Sequence, residues 1–342
     1  MMKPTVHDIA RRAGVSLATV DRVLNARPGV RAKTVARVQA AISDLGYVRD
    51  LQAANLARGR QYRFAFVLPE ATSSFLSALH AEVAEAAFRA RAERVTVGTV
   101  EIPAFDPHAA ARAVSGLKDI DGAAILAPDT PQVRDAVRHL RERGAVVVTL
   151  FSDLSDTGRD HFAGIDNRAA GRTAGVLMGR FIGPRAGSVA VIAGSMLARD
   201  HLERRLGFDE VMGARFPGLR VLPSLEARDD SDTLAALFPR LAGTWPDIAG
   251  VYCIGAGHRG LLRVLAETPW RERPVVIGHE LSDSLRRGLD QGAIDAVINQ
   301  DVGHVVRSAL RVLRARADGT GIVTAQERIR IDIFLKENLQ WS

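Results

Sequence analysis

From residue 61 onward, short apolar runs alternate with longer stretches in which apolar residues recur every three or four positions. The runs at 63–68, 95–102, 122–127, 145–150, 188–193, 250–254, 274–278, 294–298 and 328–334 have the length and composition of strands. The stretches at 74–92, 131–142, 167–182, 198–215 and 302–316 have the period of helices with one buried face. This alternation predicts an α/β body of doubly wound parallel sheets, covered by helices on both faces. Residues 62–342 exceed one such core, so two lobes with a crevice between them are expected.

Residues 1–46 follow a different pattern. Thr5 and Asp8 read as a capped helix start, with Ile9, Ala10 and Ala13 on an apolar face and Gly14 as a left-handed turn. Ser16 is a second N-cap candidate, opening a helix through Val20, Val23 and Leu24, and Pro28-Gly29 then break the pattern. Val35, Val38, Ile42 and Leu45 share one stripe of a third helix that begins near Lys33. Two short helices joined at a glycine and closed by a third form a helix-turn-helix.

Charge gives that module a partner. Residues 1–60 hold eleven basic and four acidic side chains, a balance of +7 that equals the net charge of the whole chain. A basic module on a neutral body suits a polyanion, because cations gain affinity by releasing counterions from phosphates. In a helix-turn-helix the second helix enters the major groove by its N-terminal end, which turns Leu17, Ala18 and Arg22 toward bases. Arg22 can reach both acceptors of a guanine or a phosphate. Ser16, Thr19, Asn25 and Thr34 suit phosphate contacts, although Thr19 and Thr34 are also ordinary helix residues.

The chain resembles the lactose-repressor (LacI-type) family of bacterial regulators. The matching residues are Val6-His7-Asp8-Ile9-Ala10, Ala13-Gly14-Val15-Ser16, Thr19-Val20, Arg22-Val23-Leu24-Asn25, Lys33-Thr34 and Leu45-Gly46-Tyr47. Asp21 stands where the family usually has serine, and would repel phosphate or hold Arg22 or Arg49; Arg31 replaces the usual serine cap of the third helix. The resemblance implies a domain at 1–49, a hinge helix and linker at 50–61 whose Leu56 wedges into the minor groove, and an effector domain at 62–342. It further implies a homodimer on operator DNA and an effector domain of the two-lobed periplasmic-binding-protein type. Lobe 1 would comprise about 62–163 and 292–322, and lobe 2 about 164–291 and 323–342.

Ligands of open α/β sheets bind beyond the carboxyl ends of the strands. Ser74 and Phe75, Asp129 and Asp153 follow strands of the first lobe. By resemblance, Phe75 is the aromatic that stacks on a sugar ring, and Arg204 and Gln300 match sugar-binding residues. Glu280 stands where relatives carry aspartate, and Gly255 lies near the crevice. Carboxylates, an arginine and an amide around an aromatic suit a monosaccharide or polyol.

Gly255-Ala256-Gly257-His258-Arg259-Gly260 offers an alternative, because this G-x-G-x-x-G follows a strand, and Glu280 lies where a ribose-binding acid would. It makes an NAD-linked oxidoreductase the rival, although the motif sits late in the body rather than on an opening strand. Neither a G-x-S-x-G elbow nor a P-loop occurs, and no histidine pair has metal-ligand spacing, so no catalysis, cofactor or metal is expected. A single cysteine, Cys253, excludes a disulfide framework. With no apolar run of about 18 residues and no signal segment, a cytoplasmic protein without a membrane partner is expected.

Overall fold

The computed structural model describes residues 4–25, 27–47 and 60–339. The chain forms two compact units, Met1–Arg60 and Gln61–Ser342. In the first unit, α1 (Val6–Ala13), α2 (Leu17–Leu24) and α3 (Ala32–Leu45) close over Ile9, Ala10, Ala13, Val20, Val38 and Ala41. Gly14 and Gly46 end α1 and α3 with φ of 61° and 58°, the left-handed conformation that a residue without Cβ adopts at little cost.

The second unit holds two sheets. Its elements are β1 (Tyr62–Pro69), α4 (Ser74–Ala90), β2 (Val95–Ile102), α5 (Pro107–Gly116), β3 (Gly122–Ile125), α6 (Pro131–Glu142), β4 (Val146–Leu150) and β5 (His161–Ala163). There follow α7 (Asn167–Ile182), β6 (Gly187–Ala193), α8 (Arg199–Arg215), β7 (Leu219–Glu226), α9 (Ser231–Thr244), β8 (Ile248–Cys253) and α10 (His258–Glu267). The last are β9 (Val275–His279), α11 (Asp283–Asp290), β10 (Ala296–Asn299), α12 (Val302–Ala317) and β11 (Asp332–Phe334). The first sheet runs β2-β1-β3-β4-β5 and the second β11-β10-β9-β8-β6-β7, parallel throughout except for the pair β10–β11.

The strand core is nearly continuous in apolar residues, as sheets covered on both faces require: β3 and β4 are buried along their whole length. Three segments join the sheets, at 163–167, 299–302 and 317–332. The second differs from expectation. The chain was expected to return to the first lobe near 292, yet β10 pairs in parallel with β9 and remains in the second sheet. The return begins only at α12, whose Val305, Val306, Ala309, Val312 and Leu313 pack in one cluster with Tyr62, Phe64 and Val148. A four-residue apolar strand carries no period that says which sheet it joins. The terminal β11 pairs with β10, which places the tail in the second sheet. The pattern also missed β7, where Pro223 interrupts the apolar alternation of an edge strand.

Candidate functional site

In the first unit, the Asp8 carboxylate accepts from the Thr5 amide at 2.9 Å and from its hydroxyl at 2.7 Å, fixing the start of α1. Ser16 Oγ accepts from the Thr19 amide at 3.2 Å, and the two hydroxyls lie 2.9 Å apart. Beyond this cap, Leu17, Ala18 and Arg22 are exposed on α2, and Lys33 is exposed at the start of α3 with Thr34 half-buried beside it. Asp21 turns toward Arg27 at 3.4 Å and accepts from the Asn25 amide at 2.7 Å. Helical geometry brings Asn25, one turn on, onto the same face as Asp21; Arg49, expected with Arg22 as a partner of Asp21, lies outside the described residues. Arg31 makes no side-chain cap of α3. Arg49, Leu56 and most of the proposed hinge lie outside the described residues.

In the second unit a cavity of about 100 Å³ opens between the carboxyl ends of the two sheets. Phe75, Arg204, Gly255, Glu280 and Gln300 all line it. Arg204 stands on the inner face of α8 and is 2% exposed. Its Nε donates to Asn167 Oδ1 at 2.9 Å, Nη1 to the Ile254 carbonyl at 3.0 Å and Nη2 to Glu280 Oε1 at 3.1 Å. Such depth requires α7 and α8 to approach closely. A Cβ on Gly171 would lie 1.9 Å from the Arg204 carbonyl oxygen, and one on Gly207 would lie 2.0 Å from that of Arg168.

Glu280 Oε1 also accepts from Gln300 Nε2 at 2.9 Å, whereas the buried Oε2 has no hydrogen-bond partner. Burial pushes this carboxyl above the usual glutamate range, against the pull of Arg204 and the Gln300 bond. The Gln300 side-chain oxygen faces the Ile165 amide at 3.4 Å, so this amide links two of the crossover segments to the cavity carboxylate. Phe75 meets Phe151 edge-on at 5.0 Å. Of eight non-glycine residues with positive φ among the described residues, five line the cavity: Phe105, Phe151, Arg228, Asp229 and Glu280. Strain of this kind persists where surrounding structure fixes it, and it gathers at binding sites.

Three expected ligand residues stand elsewhere. Ser74 begins α4 on a neighbouring polar groove. Asp153 is satisfied by its own lobe: Thr149 donates to it at 2.7 Å and Arg159 holds both oxygens. Burial would raise its pKa, but the bonds from Arg159 and Thr149 outweigh this and lower it. Asp129 accepts from the Ser155 amide at 3.2 Å and meets Arg199 Nη1, from the second-sheet side, at 3.2 Å. A strand-end carboxylate can serve protein as well as ligand, and here nearby arginines take both.

The sequence pattern had not singled out Asp200, Phe105, Arg228, Asp229 or His258 as lining residues. Asp200 was the most legible, one turn before Arg204 on the same helix. Asp229 explains the glycine-rich loop differently from a dinucleotide. Its Oδ1 accepts from the Ala256 amide at 2.7 Å, so a carboxylate of the chain itself holds the donor that a phosphate would need. Gly260 is a packing glycine, since a Cβ there would lie 2.0 Å from the Ser231 carbonyl oxygen. Glu280 is engaged by Arg204 and Gln300. The loop amide that a dinucleotide phosphate would need is therefore already held by the protein itself.

Comparison with known proteins agrees with this division. Residues 5–50 match the family described as bacterial regulatory proteins, lacI family, and residues 64–321 match the periplasmic binding protein domain. The maltose regulon regulatory protein MalI of Escherichia coli K12 is 38% identical over 84 residues, 25% of each chain. The lactose operon repressor of the same strain is 42% identical over 101 residues, 29% of this chain and 26% of that one. These alignments span about a quarter of the relatives' length. The crystal structure of GanP, a glucose-galactose binding protein from Geobacillus stearothermophilus, superposes with a TM-score of 0.73 at 19% identity, covering 82% of this chain and 100% of that one. That likeness is one of fold. The chain belongs to the periplasmic-binding-protein domain family through residues 64–321, and its N-terminal residues 5–50 match the helix-turn-helix family of bacterial regulatory proteins, lacI family.

Proposed function

We propose that the chain is a transcription regulator that grips operator DNA through residues 5–46 and is controlled by a small sugar or polyol in the crevice. Two copies would place paired α2 helices on a near-palindromic site, with Leu56 of each at its centre, and the protein would act in the cytoplasm as a binder rather than an enzyme. The observation that carries the ligand half is Glu280 Oε2, a buried acceptor without a partner beside the Arg204 donors. A hydroxyl gives a hydrogen bond to the first and can accept one from the second, at little cost in the ligand's own desolvation. Effector binding alters DNA affinity only if the ligand prefers one lobe arrangement. Induction, in which ligand weakens DNA binding, is the favoured sign.

The test has two stages. Duplexes selected from a random library by the full-length protein should bind with strong salt dependence, and deleting residues 1–60 should abolish that binding. A melting-shift screen of sugars and polyols should then yield a compound that changes affinity for the selected duplex. Glu280→Ala should remove the response to that compound while operator affinity stays as it was. Salt-insensitive DNA binding, or binding retained after the deletion, overturns the regulator reading.

A further inference from the structure

The cavity has two unlike walls. Its ionisable side chains, among them Asp200, Arg204, Asp229 and Glu280, all stand on segments that follow strands of the second sheet. Opposite them, segments that follow strands of the first sheet contribute Pro69, Leu76, Ala104, Phe105, Leu126 and Ala127. The polar side chains of that wall are Thr72 and Ser152, and each hydroxyl already spends one hydrogen bond on the protein. Thr72 Oγ1 faces the Glu70 carbonyl at 3.4 Å, and Ser152 Oγ accepts from the Asp200 amide at 3.2 Å. Asp129, the carboxylate that could have served this wall, is turned to Arg199 and Ser155.

The asymmetry bears on what fits. A fully hydroxylated hexose or a linear polyol carries hydroxyls on every edge. Those turned to the first wall would lose water and find only the small Thr72 and Ser152 hydroxyls in its place, which is unfavourable for each group left unpaired. Stacking alone does not account for this wall. Phe75 and Phe151 would match the C–H face of any pyranose, but the apolar surface continues past them over Pro69, Ala104, Leu126 and Ala127. A ligand that is apolar along one edge and hydroxylated along the other satisfies both walls.

We infer that the effector is a deoxy sugar of the 6-deoxyhexose kind, with its methyl group and adjoining C–H edge on the first wall. Its vicinal hydroxyls then meet Glu280 Oε2, Asp200 and the Arg204 guanidinium. The inference rests on the sugar-effector reading above and narrows it.

Matched pairs separate the two. The full-length protein would be titrated with D-fucose and D-galactose, L-fucose and L-galactose, and L-rhamnose and L-mannose, together with pentoses and pentitols, reading melting shift and calorimetric Kd. One 6-deoxyhexose should bind at least about ten-fold tighter than its hydroxylated parent. A parent or a polyol that binds as tightly overturns the apolar-edge inference and leaves sugar sensing intact. No shift with any compound overturns the sugar-effector reading and the inference together. Ala104→Ser puts a hydroxyl on the first wall at little steric cost, and should narrow the ratio between deoxy sugar and parent. An unchanged ratio overturns the placement of the deoxy edge on that wall.

Discussion

At the scale of single residues, position on the fold decides the role of chemically similar groups. Arg22 is exposed beyond the Ser16 cap, whereas Arg204 is almost wholly enclosed. Arg22→Ala should reduce specific affinity and relax preference at one base of each half-site by about 1–3 kcal/mol, measured by binding to a set of singly substituted duplexes. Equal loss on every sequence would make Arg22 a phosphate contact. His258 offers a test in the body. It is buried between the Ser282 hydroxyl and the Gly255 carbonyl, and burial lowers its pKa to about 4. The unfolded chain takes up this proton near 6.5 and the folded chain only near 4, so stability should fall as pH drops through that window. The loss amounts to about 3 kcal/mol by the pKa difference, and His258→Gln should flatten it in urea titrations at successive pH values.

Elements differ in how plainly the sequence announces them. The helices at 131–142, 167–182 and 302–317 were legible because a buried face repeats every turn over ten residues or more. Short buried strands are legible as strands but not as members of a particular sheet, which is why β10 was assigned to the wrong side. The candidate site was legible where one residue type in one position has one use, as with Arg204, and illegible where partners come from far along the chain. Asp129 finds Arg199 seventy residues later, a pairing no local spacing encodes. Asp229 stayed hidden because the strand before it did, once Pro223 had broken the alternation. The contact between α7 and α8 supplies an element-level prediction. Gly171→Ala would force these helices apart, because its Cβ would meet the Arg204 backbone well inside van der Waals distance. We expect a loss of about 1–3 kcal/mol in urea unfolding together with weaker effector binding, and unaltered DNA binding by residues 1–60.

At the scale of the whole molecule, the contacts of Asp129 and Arg199 join the two sheets outside the cavity. Arg199, at the start of α8, reaches Asp129 and Ser155 after strands of the first sheet, and the Asp200 amide reaches Ser152. The bonds of Arg199 to Asp129 and Ser155 favour closed lobes away from the ligand, while the Asp200–Ser152 bond joins two residues that line the cavity. Arg199→Ala should widen the ligand-free body in small-angle scattering and weaken the effector, because binding must then supply the closure itself. Asp129→Ala should have little further effect in the Arg199→Ala background, with a coupling of about 0.5–3 kcal/mol for the pair. An unchanged radius of gyration in both variants would remove the bridge from any part in closure.

The unequal construction of the cavity also bears on how such a sensor diversifies. Arg204, at the centre of its charged half, is fastened to the packing of α7 and α8, where even a methyl group on Gly171 or Gly207 is excluded, so changes at that contact threaten folding before they alter recognition. In the apolar half, Ala104 and Phe105 stand on the loop between β2 and α5 and belong to no hydrophobic core cluster. On the proposed function, descendants of this chain would acquire new effectors by exchanging loop side chains such as Ala104 and Phe105, while the polar grip of Arg204 is inherited intact.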